Sequence, residues 1–390
     1  MAAPILLLDF ARTRRFDRRL AFARPSPTVR AGTATPLRAV ATGQPRLDAA
    51  GLLLEPAATN LALHGSAFDQ PSWTLRYVSL APAAAPDGSL TAWKVSETAV
   101  TNTFRLSQRY IAAEGLHTAS VYAKAAGRSV LWLRMSMVGG YATVAANLAD
   151  GTLLADSMPG SAIMPVGNGW YRVSMTQPVT GTDNSVLLVL APNIGPLPAS
   201  YPGDPACGLY LWGVQMEAGP MASAPVATGA TAAVRAAESC SLPLDRLPRW
   251  SPDAGTLLVD AELPLAPTMP QTLATLSDSG GGNALSLRLP GGTAVRASAS
   301  GGFAGADLAI GTMTPGTRFR AALAWNADGL AACLDGGVVA GADGGAPGGL
   351  AALRLGHAAG GAEHARCRIA RVALYPDRLP DAALRRLTRG

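Results

Sequence analysis

Ser129-Val130-Leu131-Trp132-Leu133-Arg134-Met135-Ser136-Met137 reads as an alternating segment. In an extended chain Leu131, Leu133, Met135 and Met137 fall on one face, and Trp132, Arg134 and Ser136 on the other. That period specifies a strand with one face in a core. Turn signals bracket it: Ala126-Gly127 before, Gly139-Gly140 after. Similar strand segments recur over 118–123, 141–148, 170–175, 186–190 and 208–214, separated by Asp150-Gly151 and Gly167-Asn168-Gly169. Many short strands without intervening helical periods indicate an antiparallel sandwich or jelly roll.

A second strand-rich region begins near Trp250. Residues 256–261, 284–289, 319–325 and 353–355 suit strands, with Gly-rich loops at 279–283 and 341–349. A helix is expected over 380–387, with Leu384 and Leu387 on one face. Residues 220–237 are Ala-, Thr-, Pro- and Gly-rich, either a linker or a final strand. Residues 1–60 form a leader in which Leu6, Leu8 and Phe10 alternate with Leu7 and Asp9, enough for one strand. The expected fold is all-β: two tandem antiparallel β-sandwiches, over 61–240 and 245–390, behind an extended N-terminal segment.

Composition agrees. At 390 residues the chain is too long for one ordinary core,. Gly 43, Pro 30 and a charged fraction of 15% suit short strands and many turns,. The net charge is +6, but Lys94 and Lys124 are the only lysines. This arginine bias, with abundant Ala, Gly and Pro, reflects a GC-rich genome and is discounted as a sign of nucleic-acid binding. One cluster stands apart: Arg12, Arg14, Arg15, Arg18, Arg19, Arg24 and Arg30, interrupted by Asp9, Asp17, Phe10, Phe16, Leu20 and Phe22. It suits a solvated arm or a docking segment, with Arg14, Arg15, Arg18 and Arg19 as candidate docking residues. The apolar stretch 5–8 is too short for a signal peptide, and no run approaches a membrane span, so cytoplasmic synthesis is expected. Cys207, Cys240, Cys333 and Cys367 lie far apart without CxxC, which argues against a zinc site, and buried reduced thiols are expected instead of disulfides.

Several segments carry a family resemblance. Gly51-Leu52-Leu53-Leu54-Glu55-Pro56-Ala57-Ala58-Thr59-Asn60-Leu61 resembles a signature found upstream of jelly-roll modules in tailed-phage particle proteins. It is followed by Ser66-Ala67-Phe68 and Trp73, by Ser120 to Gly127, by Asn168-Gly169-Trp170-Tyr171-Arg172-Val173-Ser174 and by Gly208 to Gly219. The set is similar to the carbohydrate-binding-module-like sandwiches of phage tail fibres and of head spikes, including those of gene transfer agents. Ala58 departs from it, since an arginine is usual there. The second half is similar to the concanavalin A-like, laminin-G-type sandwich, through Arg320 to Trp325, the Asp335-Gly336 turn, Leu353 to Gly356 and Arg371 to Tyr375.

The resemblance implies a virion protein, a head spike or fibre for host attachment. Its partners would be other particle proteins and host surface polysaccharide, in a homo-oligomer, with neither nucleic acid nor membrane insertion. A purely architectural decoration or adaptor protein is the first alternative, and a capsule depolymerase the second. Cleaving a glycan needs two carboxylates about 5–10 Å apart. Asp260 and Glu262 come nearest, without the third acid that sandwich glucanases carry, so no catalytic residue is assigned. His64, His117, His357 and His364 show no HExxH spacing and are expected at turns or on the surface. Sugar binding needs exposed aromatic faces flanked by polar groups. Trp132, Arg134, Tyr141, Trp73 and Trp93 are the candidates, whereas Trp170 and Trp212 are expected in the core. No cofactor is expected beyond a structural calcium, for which Glu55, Asp204 and Glu217 are candidate ligands. Alternatively, Glu55 and Glu217 accept backbone hydrogen bonds.

Overall fold

In a computed structural model the described residues are 3–31, 36–137, 139–155, 157–179, 183–192, 200–301 and 305–389. They divide into two compact units. One comprises Pro27–Ala41 and Ala58–Arg235, the other Met1–Ser26, Thr42–Ala57 and Ala236–Gly390. No helix among the described residues is long and apolar enough to cross a membrane.

The 58–235 unit is a jelly roll of two six-stranded antiparallel sheets. One runs in the order Ser161–Gly167, Trp170–Val179, Gly115–Ala126, Gly208–Ala218, Ala92–Glu97, Val78–Ala83. The other runs Thr152–Leu153, Gly140–Asn147, Val130–Met137, Asp183–Ala191, Arg105–Ile111, Thr74–Arg76. Leu131, Leu133 and Met135 face a shared core with Val121, Val173, Leu209 and Leu211, as the alternation requires. The side chain of Met137 lies outside the described residues. Each such buried side chain contributes about 1.5–3 kcal/mol of transfer free energy. The segment 220–237 supplies the strand Ala233–Arg235, which pairs with Ala58–Asn60.

The other unit packs an eight-stranded sheet on a seven-stranded one. In the strand Gly255–Glu262, Leu257, Val259 and Ala261 point into the core between the sheets. Leu258 points the other way and meets Ala383 and Leu384 of the helix Asp381–Thr388. The apolar stripe read from the sequence therefore seals an outer sheet face. At the Asp-Gly turn both residues have positive φ, 46° at Asp335 and 72° at Gly336, and the Gly337 N–H donates to the Leu334 carbonyl at 2.8 Å. These are the marks of a type I′ hairpin turn.

The leader corrects an expectation. Residues 1–60 are no separate arm, and the boundary at 245 falls inside a folded unit. Leu6–Asp9 pairs antiparallel with Cys367–Tyr375, and Ala21–Ala23 pairs with Ser239–Pro243. Gly51–Leu54 adds a further strand beside Cys367–Tyr375. The physical reason is apolar: Leu6, Leu8, Phe10, Leu52 and Leu54 are all buried in this core. Gly51 opens the quoted signature because φ is +130° there, and a Cβ would lie 2.3 Å from the Ile369 carbonyl oxygen. No side chain fits.

Candidate functional site

Because Leu131, Leu133 and Met135 turn inward, Arg134 and Ser136 turn outward. Cross-strand register extends this outer face over the sheet. Ser136 lies opposite Tyr141, Arg134 opposite Leu187, Leu187 opposite Ser107, and Ser107 opposite Thr74. The result is a cleft of about 290 Å3, lined among others by Arg105, Ser107, Arg109, Tyr141, Asp183 and Asn184. Tyr141 is 49% exposed. The Arg134 guanidinium sits 4.9 Å from its ring centroid, close enough for a cation–π contact. Arg109 engages Asp183 through two of its guanidinium nitrogens, Nε at 3.0 Å from Oδ1 and Nη2 on Oδ2. That pair is exposed and adds little stability. Arg105 and Arg134 have no carboxylate partner among the described residues.

Of the five residues expected to bind sugar, two have the required placement: Tyr141 and Arg134. Trp132 is 2% exposed and packs with Val130, Ala145 and Val189 beneath Leu154 and Leu187. Pointing away from the core did not expose it, because aliphatic neighbours on adjacent strands cover the ring. Trp73 is 4% exposed, stacks edge-on to Phe68 and donates its indole N–H to the His64 carbonyl. Trp93 is half-buried, its N–H committed to the Ser66 carbonyl at 3.0 Å. Trp132 and Trp73 present no free ring face. Trp170 and Trp212 are buried as expected, but on the outer face of the opposite sheet, with Tyr122 and Leu37.

The candidate metal ligands are engaged elsewhere. Glu55 meets Arg46 at 2.8 Å and Arg366 at 3.7 Å, within the unit that contains the leader. Glu217, in the jelly roll, accepts the Ser223 N–H at 2.7 Å and a Gln215 amide N–H. Asp204 closes its own turn on the Ala206 N–H. No group of three His, Cys, Asp or Glu able to hold a metal occurs among the described residues. These acids do not fit a calcium site.

Asp260 accepts hydrogen bonds from Arg318 at 2.6 Å and Arg320 at 3.0 Å, an ion-paired strand residue. The histidines need a correction. His117 and His357 are buried, and the His357 and His364 rings lie 5.2 Å apart. Burial lowers the pKa of both rings of that pair, since a charged imidazole would be poorly solvated there. Of the candidate docking arginines, Arg14, Arg15 and Arg18 are exposed, while Arg19 is held by Asp17.

Sequence reasoning missed Glu97. Its buried carboxylate accepts from two Arg128 nitrogens, each at 2.7 Å, from the Tyr201 hydroxyl at 2.6 Å and from the Asp204 N–H at 2.9 Å. Burial alone would raise its pKa, but these donors outweigh it and hold the carboxyl below its ordinary value. The donors come from distant segments, so no local pattern marked it.

The chain matches no family model and none of the curated proteins. Among solved structures it is similar to the CBM40 of the Ruminococcus gnavus IT-sialidase bound to α2,3-sialyllactose (17% identity, TM-score 0.32, covering 35% of this chain and 83% of that one). It is also similar to the LG1–3 region of the laminin α2 chain (11% identity, TM-score 0.27, covering 73% and 66%). A third likeness is to the Trypanosoma rangeli sialidase in complex with sialic acid (14% identity, TM-score 0.33, covering 76% and 63%). The chain spans less than two thirds of that sialidase's length. This chain itself is an all-β protein built of a jelly roll and a larger two-sheet sandwich.

Proposed function

We propose that this chain is a non-catalytic, glycan-binding virion protein, a head spike or fibre by which a phage-like particle holds host surface polysaccharide. One observation carries the binding reading. Tyr141, exposed and braced by Arg134, stands at a cleft whose described lining is rich in guanidinium and hydroxyl groups. A tyrosine face can take a sugar's CH surface, and the arginines can meet hydroxyl or carboxylate oxygens. Asp183 is the one carboxylate among the described lining residues, and Arg109 occupies it. This favours holding a glycan over cutting it. The particle assignment draws on the quoted signatures, and the exposed Arg14, Arg15 and Arg18 offer a basic patch to a neighbouring particle subunit.

The test is to incubate the protein with purified host capsule, measuring binding by calorimetry and polymer length by size-exclusion chromatography. Saturable binding without shortening is expected, lost on Tyr141→Ala. Shortened polymer would establish a depolymerase instead. Absence of binding would leave an architectural protein.

A further inference from the structure

The chain's two lysines, Lys94 and Lys124, share one row on the other sheet of the jelly roll. Ala81 lies opposite Lys94, Lys94 opposite Tyr210, Tyr210 opposite Lys124, and Lys124 opposite Trp170. Neighbouring strands are about 4.8 Å apart, so the lysine stems flank Tyr210 at roughly 10 Å. Together these residues line a cleft of about 360 Å3, closed on one side by Ala81 to Ala84.

The electrostatics of this cleft are incomplete. Both lysines are half-buried. The Lys94 ammonium donates to the Ala206 carbonyl at 3.1 Å. The Lys124 stem runs along Gly169, where a Cβ would come within 3.5 Å of its Cε. Neither lysine has a carboxylate partner among the described residues, and the lining contains no acid. Two like charges share one cleft, and a bound anion would relieve both. The cleft falls in the size range of small-ligand sites. Beside the charges, the Tyr210 ring offers apolar contact, set 6.4 Å from Trp170. A recessed site with paired cations and an aromatic wall suits a ring that bears a carboxylate.

We propose that this cleft binds a uronic acid residue of an acidic glycan, its carboxylate held between Lys94 and Lys124 and its ring against Tyr210. The site lies on the opposite sheet from Tyr141 and does not depend on that face. Reductive 13C-methylation marks the two lysines and the terminal amine while keeping their charge, so NMR reads this cleft directly. Titrating the methylated full chain with galacturonic and glucuronic acid trisaccharides is expected to move both lysine signals saturably. A neutral galactose trisaccharide and sodium sulfate should leave them in place. Lys94→Gln and Lys124→Gln should each weaken uronide binding, read at the remaining lysine's signal, at least tenfold. Signals unmoved by either uronide overturn the proposal. Equal shifts with sulfate would make this a general anion site, and equal shifts with the neutral sugar would remove the carboxylate's role. Either result overturns the assignment.

Discussion

Arg24 and Glu238, 214 residues apart in sequence, form an ion pair of 2.8 Å with both side chains wholly shielded from solvent. Arg46 joins the same carboxylate at 2.7 Å and reaches Glu55 at 2.8 Å, and the Glu55 N–H donates to Glu238 at 2.9 Å. The leader, the signature segment and the chain entering the larger sandwich thus converge on one carboxylate. Burying such groups is costly, and the cost is offset only while each charge keeps its partners.

Replacing Glu238 should therefore be severe. Glu238→Ala leaves two buried guanidiniums without their shared anion, and a loss of about 3–5 kcal/mol is expected. Glu238→Gln keeps the shape but not the charge and should also destabilise. Urea unfolding of the full chain measures both. A change under about 1 kcal/mol would mean that water reaches the cluster, as at surface pairs.

The same geometry predicts what a fragment can do. Residues 245–390 alone lack Leu6, Leu8, Phe10, Leu52, Leu54, Cys240 and Leu242, all of them core residues of that unit. They also lack the strands on the far side of Cys367–Tyr375. That fragment is expected to show no cooperative thermal transition. Deleting residues 1–26 from the full chain should lower the melting temperature of this unit while leaving the jelly roll's unchanged. Calorimetry that resolves two transitions is the check, and an unshifted upper and lower transition would mark the leader as dispensable.

What the sequence makes legible is alternation. Leu131, Leu133 and Met135 declare their strand and their inward face without any partner in view, whereas 256–261 declares a strand but not its face. Leu6, Leu8 and Phe10 show their strand too, but not the strand Cys367–Tyr375 that receives it. Partners set the rest. Trp132 is buried because Leu154, Leu187 and Val189 surround it, and Arg24 because Glu238 awaits it. Tyr141 and Arg134 could be proposed because alternation sets Arg134 on the outward face and sugar binding calls for an aromatic ring beside polar groups. The Lys94–Tyr210–Lys124 row is invisible until three strands are in register.

Acid should act on the two units in different windows. Burial holds His357 and His364 below the ordinary value of 6.5. Folding favours their neutral forms relative to the unfolded chain. Stability that is full above about pH 6.5 therefore declines as the pH falls toward the folded values. Glu97 in the jelly roll is held below its ordinary 4.5. Its contribution is full above about pH 4.5 and is lost as the pH falls through the folded value. Melts between pH 8 and 3 should show the larger sandwich softening first. Glu97→Gln should flatten the lower window only, and His357→Gln should reduce the upper slope. An upper slope indifferent to His357→Gln would assign it to other groups.

Tyr141 and Trp132 lie on paired strands and the same sheet face, yet they should fail in different ways when removed. Trp132 fills space among Val130, Ala145, Val189 and Leu187. Trp132→Ala leaves a cavity there, and a loss of about 3–5 kcal/mol in stability is expected. Tyr141 is 49% exposed and its ring meets chiefly Arg134. Tyr141→Ala should change stability by less than about 1 kcal/mol, as surface substitutions do. In glycan binding the order reverses. At temperatures where both variants are folded, Tyr141→Ala should abolish capsule binding, and Arg134→Ala should weaken it about tenfold, the equivalent of ~1.4 kcal/mol. Trp132→Ala should retain it, because that ring never reaches the ligand. Parallel melting and calorimetric titration of the three variants decide the matter. If Trp132→Ala lost binding while fully folded, the ligand would have to enter beneath Leu154 and Leu187, and the site would be a pocket under the sheet's edge instead of the open face.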